Sequence, residues 1–204
     1  MKKLIMPVMA IILAAVDVQS CTSPAEKENT TPVVNQTEAV INNIMSRRSI
    51  RKYIEQPISR DTLDKIIECG INAPNGKNEQ NYEVKVVDDL ESAGYLAENL
   101  DGLYKAPVYM FIAAKNSYDM SRIDVGLLSE NICLSAWAYG IGSINLGMPV
   151  RSLKEKPEIL KKLGFSEGHE LCLILALGYP DETPEAKPRN AERVQFVTLT
   201  QKVH

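Results

Sequence analysis
Two unbroken apolar stretches, residues 106–114 and 171–177, constrain this 204-residue chain more than anything else in it. The second offers no polar position to turn toward water, so it reads as a central strand buried on both faces. The first is rich in β-favouring residues, and its Pro107 is tolerable because it stands at the strand's start. Between them, residues 119–139 read as a long helix. Its C-terminal half, with Ile132, Leu134, Ala136 and Trp137, is apolar nearly all round, which argues for a central buried position.

The remaining elements fit around that centre. Spacing predicts an amphipathic helix over 37–48, with Val40, Ile41, Ile44 and Met45 on one side, followed by extended chain over 49–54. Ser59 can cap a helix carrying Leu63, Ile66, Ile67, Gly70 and Ile71, which the breaker cluster at 72–76 stops. Val84, Val86 and Val87 mark a short strand, residues 90–104 a helix, and residues 141–146 another strand. A short helix over 157–163 has Pro157 at its first position and Gly164 just past its end. Beyond Gly178 three prolines make an extended arm, after which Val194, Phe196, Val197 and Leu199 suggest a terminal strand. A strand delivered by such an arm often pairs with a neighbouring subunit's sheet edge. Helices and strands mix without strict βαβ alternation, which favours an α+β fold.

At 45% apolar and 24% charged, the chain is neither disordered, collagen-like nor disulfide-dense. A formal charge of −3 lacks the broad positive field that nucleic-acid binding needs, so no nucleic-acid partner is expected. The N-terminus is an address: Lys2 and Lys3 precede a 13-residue apolar run over 4–16, the size of a signal-peptide core and too short to span a bilayer comfortably. Val18, Gln19, Ser20 and Cys21 resemble a bacterial lipobox, although Asp17 and Gln19 fit it imperfectly. The expectation is a signal peptide over 1–20, a flexible tether over 21–36 beginning at an acylated Cys21, and one folded domain over 37–204. A simple cleaved signal is the alternative. The protein would then be exported and held to a membrane by its lipid anchor only, on a periplasmic or cell-surface face.

Cys69, Cys133 and Cys172 lack C-x-x-C spacing and sit in apolar segments, so they read as buried free thiols. With His169 and His204 as its histidines, the chain has no metal-binding spacing and no metal is expected. Nor does a G-x-S-x-G motif accompany His169 for hydrolase chemistry.

Three places hold more polar specificity than a scaffold needs. Arg47, Arg48, Ser49, Ile50 and Arg51 put three guanidiniums and a hydroxyl at a helix end, and guanidinium forks bind phosphate or carboxylate oxygens bidentately. Lys187, Pro188 and Arg189 add two cations on the arm, and residues 74–82 form an amide-rich loop around Gly76. Alone, each has an ordinary reading: a basic helix end complementing its dipole, a solvated tail, a turn.

In this order they resemble the FMN-dependent nitroreductase family. Arg47–Arg51 looks like its R-x-S-x-[RK] signature, and residues 73–80 like its A-P-S-x-x-N-x-Q loop. Ala106-Pro107 opening a strand, Gly140 to Ser143 followed by Leu146-Gly147, and Gly178 to Pro180 leading to Lys187 and Arg189 complete the match. The resemblance implies a central, mainly antiparallel sheet flanked by helices, and a homodimer with exchanged C-terminal arms that binds FMN at its interface. It implies that Arg47, Ser49, Lys187 and Arg189 hold the FMN phosphate and ribityl chain, with Arg51 near the flavin N1 and O2 edge and Arg48 beside it. Pro74, Asn75, Gly76 and Asn78 match the loop laid across the partner's cofactor, and Leu146 and Gly147 the backbone that meets flavin N5 and O4. The family's activity implies an oxidoreductase passing electrons from NADH or NADPH to a nitroaromatic, quinone or similar acceptor by a ping-pong route. The flavin carries the chemistry, so no side chain is expected as a catalytic acid or base. A fixed cation at Arg51 would stabilise the negative charge that two-electron reduction places near N1.

The chain departs from the family where Gln80 is followed by Asn81-Tyr82 instead of a Pro and an aromatic residue, and where Asn75 replaces Ser. It also shows no clear counterpart to a further Asn and Lys near the pyrimidine ring. Other chemistries on the same fold, reductive dehalogenation or flavin fragmentation, usually need a longer lid than residues 88–105 supply. A flavin-binding surface lipoprotein without turnover is a third reading. Export and a nicotinamide donor also pull against each other: either another carrier reduces the flavin, or Cys21 is not an anchor.

Overall fold
The computed structural model describes residues 35–117 and 120–199. The expected signal peptide, Cys21 and tether residues 21–34 lie outside the described residues. Six helices and four strands follow in the order α1 (Gln36–Ser46), α2 (Arg60–Ile71), β1 (Tyr82–Val87), α3 (Leu90–Asn99), β2 (Val108–Lys115), α4 (Ser121–Ala138), β3 (Gly142–Leu146), α5 (Met148–Lys154), α6 (Pro157–Leu163) and β4 (His169–Gly178). The strands form one antiparallel sheet in the order β1-β2-β4-β3.

The two apolar runs are the two central strands, and their alternate side chains divide the core in two. Val108, Met110, Ile112, Leu175 and Leu177 face α2 and α4, where Leu63, Ile66, Val125, Leu128 and Ile132 meet them. Tyr109, Phe111, Ile174 and Ala176 face the other way, onto Ala93 and Leu96 of α3, Val150 and Leu153 of α5 and Ile159 of α6. Strands buried on both faces need no alternating pattern, which is why both runs are continuous. α2 and α4 approach closely at Gly70, where an added Cβ would lie 2.5 Å from the Ile132 side chain.

Local signals explain most boundaries. Ser59 caps α2 through its hydroxyl, Pro157 opens α6, and Gly164 closes it with φ 63°. α1 begins at Gln36 with Asn35 as its cap, one residue before the expected domain start. Two expectations fail. α3 ends at Asn99 and not at Tyr104, because Asp101-Gly102 turns the chain with Gly102 at φ 80°. The terminal strand over 194–199 is absent from the described chain: a 3-10 turn at Ala191–Arg193 is followed by irregular backbone, and Phe196 is fully exposed. Of the three thiols, all free, Cys133 is buried as expected, Cys172 is half-buried, and Cys69 is exposed.

Candidate functional site
The segment after α1 is stitched to the edge of the sheet. Ser49 bridges Ser143 of β3 in parallel, Ile50 N–H donates to the Ser143 carbonyl at 3.0 Å, and Ile54 N–H donates to Tyr179 O at 2.9 Å. The fit is close: a Cβ on Gly142 would lie 2.6 Å from Cγ1 of the fully buried Ile50. Tyr53 donates its hydroxyl to Ile50 O at 2.6 Å, and burial raises its pKa far above the usual phenol range. Extended residues 49–53 are thus fixed from below, leaving the intervening side chains to point outward.

The Pro-rich arm returns to the same place. Asp181 N–H donates to Lys52 O at 2.9 Å. Glu182 Oε1 accepts from the backbone N–H of both Arg51 and Lys52, the latter at 3.2 Å. This brings two segments far apart in sequence to one open cavity of about 120 Å³, lined by Arg47, Arg48, Ser49, Arg51, Lys187 and Arg189, with Pro184 and Glu185. Five cationic side chains and a hydroxyl form a donor set matched to a phosphate monoester. All six residues expected from the two basic motifs therefore line one cavity.

Their charges are not left to repel one another, as an unliganded cluster would suggest. Arg47 Nε pairs with Glu130 of α4 at 3.3 Å. Arg48 turns back, donating to Met45 O and Arg47 O at 2.8 and 2.9 Å, and so satisfies carbonyls at the end of α1. Arg51 lies over the Tyr104 ring at 5.8 Å. Glu130, Glu182 and Tyr104 carried no local motif, and only the fold brings them to the cluster. Beneath it Cys133 is a neutral thiol, pushed up to about 11 mainly by burial.

The other expected residues lie elsewhere. Leu146 ends β3, three residues on from Ser143, and Gly147 precedes α5. Pro74, Asn75, Gly76 and Asn78 do not line the cation-rich cavity of their own chain. They form a tight turn at the start of α4, where Gly76 N–H donates to Asp124 Oδ1 at 3.2 Å. Asn75 uses its side-chain oxygen within the turn, accepting from Gln80 N–H at 3.0 Å. Lys77, Asn78 and Gln80 have φ values of 52°, 56° and 51°. For the two residues other than Asn, that left-handed conformation costs about 1–2 kcal/mol each. Strain of this kind persists where the surroundings impose it, and it gathers at functional sites.

A family model described as "Putative TM nitroreductase" matches residues 39–202, which span both basic motifs, the loop and the whole sheet. The chain belongs to this nitroreductase family. A "Putative NADH dehydrogenase/NAD(P)H nitroreductase" of Archaeoglobus fulgidus is 33% identical over 154 residues, covering 71% of this chain and 87% of that protein. An "NADPH-flavin oxidoreductase" of Vibrio harveyi is 26% identical over 168 residues, 73% of this chain and 69% of that protein. The nitroreductase fold is shared with a crystal structure of a nitroreductase with bound FMN from Desulfitobacterium hafniense, at TM-score 0.70 and 24% identity, covering 78% of this chain and 98% of that one.

Proposed function
We propose that this nitroreductase-family protein is an FMN-dependent oxidoreductase. It passes two electrons from NADH or NADPH to a nitroaromatic, quinone or similar small acceptor by a ping-pong route, and it works as a homodimer. The observation that carries this reading is the convergence of Arg47, Ser49, Arg51, Lys187 and Arg189 on one cavity. The named activities of relatives in Vibrio harveyi and Bacillus subtilis, an NADPH-flavin oxidoreductase and an FMN reductase, support it.

When bound, FMN supplies the redox chemistry. The chain's own part is binding, orientation and charge. Arg47, Ser49, Lys187 and Arg189 would hold the phosphate and ribityl chain, each charge-assisted hydrogen bond contributing about 1.5–3 kcal/mol. Arg51, oriented by Tyr104 and by the backbone bonds to Glu182, would supply a fixed positive charge to the flavin. Leu146 at the end of edge strand β3 and Gly147 just beyond it offer backbone, and no side chain is needed as acid or base.

Dimerisation is supported by what one chain leaves uncovered. α1 buries none of its residues, and its apolar stripe of Val40, Ile41, Ile44 and Met45 is more than half exposed. Ile123 and Leu127 of α4, with Phe196 and Leu199 of the arm, add further exposed apolar surface. Exposed apolar surface of this kind marks interaction sites, and a second copy is the occupant that the family resemblance implies, its 74–78 loop lying across the first copy's cofactor. We further propose that Cys21 is acylated after signal cleavage and anchors the domain outside the cytoplasm. Mass spectrometry of the membrane-extracted protein should find a diacylglyceryl Cys21 as the first residue, and an unmodified N-terminus refutes the anchor.

An absorbance spectrum tests the main reading. The purified protein should be yellow, hold one FMN per chain, bleach with NADH or NADPH, and recover its colour when a nitroaromatic or quinone is added. Colourless protein that cannot be reconstituted with FMN overturns it.

A further inference from the structure
We propose that Asp124 is a positioning residue: it sets the shape of the 74–80 loop and so determines how firmly that loop holds FMN across the dimer interface. The inference rests on the FMN reading above for its consequence, but not for the anchor itself.

Left to local preference, this loop would not keep its conformation. Three of its residues are in the left-handed region, and its internal bonds tie the turn only to itself: Gln80 N–H to Asn75 Oδ1, Asn78 N–H to Asn75 O, and Glu79 N–H to Gly76 O. Beyond the adjacent Tyr82 N–H to Gln80 O bond, two bonds among the described residues fasten it to the body. At its exit Lys115 N–H of β2 donates to Asn81 O at 3.0 Å. At its entry the fastening is Asp124, through the Gly76 N–H. Asp124 is 4% exposed, and its second carboxylate oxygen has no hydrogen-bond partner among the described residues. Burying a carboxylate for one backbone N–H is costly. An acidic residue meant only to complement the helix dipole does that work from a solvated first-turn position. Tyr82, the first residue of β1 after the loop, has its pKa raised by burial and, secondarily, by the Asp124 charge. The carboxylate's one hydrogen bond among the described residues is thus the one to the loop's entry. With Asp124 holding Gly76, the neighbouring residues have one available path, and the amide edge of the turn is preset before any cofactor arrives.

The test uses the full chain carrying Asp124→Ala or Asp124→Asn. Read-outs are hydrogen exchange over residues 74–80 without FMN, the FMN dissociation constant from fluorescence quenching, and oligomeric state. Asp124→Ala should speed exchange in the loop at least tenfold and weaken FMN binding about tenfold while the protein stays dimeric. Asp124→Asn keeps an oxygen acceptor without the charge and should restore both toward wild type. Wild-type exchange and affinity in Asp124→Ala overturn the proposal, as does an Asn variant as defective as the Ala one. If Asp124→Ala does not fold, Asp124→Ser takes its place, since its hydroxyl is one bond shorter than the carboxylate and leaves Gly76 unheld. Faster loop exchange in a protein whose wild type binds no FMN supports the anchor and overturns the cofactor reading alone.

Discussion
The cation-lined cradle and the apolar surface of α1 with the C-terminal arm are neighbours in sequence at both ends of the domain, yet they are finished to different degrees. The cradle is complete within one chain: its backbone is bonded to β3 and to the arm, its guanidiniums meet Glu130, local carbonyls and Tyr104, and Ile50 beneath it is fully buried. The apolar surface is unfinished, with Met45 70% and Phe196 fully exposed. The cradle's donors thus all come from one chain, whereas the apolar surface finds no cover within it; on the proposed reading, the first would serve the phosphate end of a bound nucleotide and the second a partner subunit.

The sharpest way to break this contrast is to charge the unfinished surface. Ile44→Asp should yield a folded monomer in analytical ultracentrifugation and remove nearly all tightly bound FMN; a flavin-replete dimer shows the surface to be ordinary. Next in size, Arg47→Ala or Arg189→Ala should weaken FMN binding by about 10- to 100-fold, the loss of one charge-assisted hydrogen bond, without changing oligomeric state. Equal affinity in titration calorimetry removes that residue from the phosphate site. Gly142→Ala tests the seam under the cradle: its Cβ would collide with Ile50, and about 1–3 kcal/mol of stability should be lost in denaturant melts. Arg51→Ala should keep FMN but lower its midpoint potential by about 20–40 mV, the shift expected for roughly 1–2 kcal/mol in a two-electron couple. An unaltered potential in spectroelectrochemistry refutes the role of that charge.

The smallest effect is a control remote from both regions. The Ser166 side chain, then the Ser166 N–H that donates to Glu83 at 3.2 Å, and the ion pair with Lys85 together hold the Glu83 carboxyl down to about 2. A depressed carboxylate contributes stability above its unfolded value near 4.5 that is lost as pH falls toward 2. Glu83→Gln should therefore flatten the stability profile across that window and leave FMN affinity unchanged. An unchanged acid limb in urea melts from pH 5 to 2 contradicts the contact.

How much of this the sequence carries on its face follows from the range of the interactions. α6 was readable to the residue because Pro157 and Gly164 act within one turn, and the central strands because burial on both faces leaves no polar positions. α5 carries no plain signal, since Gly147 and Pro149 look like loop, although Pro is at ease in a first helical turn. The arm's apolar residues imitated a strand that the described chain does not form. In the site, the basic motifs were readable because Arg and Lys cluster locally. Glu130, Glu182 and Asp124 were not, because each is a lone acid whose partner lies 48 to 131 residues away.

The fastening of α1 has a consequence for the order of assembly. This helix buries no side chain, and the polar ties that hold it are Asn43 to Leu134 O, Trp137 to Ser46 and the Arg47–Glu130 pair. In an isolated protomer it would be the first element to fray, carrying with it Arg47, which follows its last residue. A second copy settling on that helix, as the proposed dimer has it, would also steady the guanidinium at its end and so favour cofactor capture.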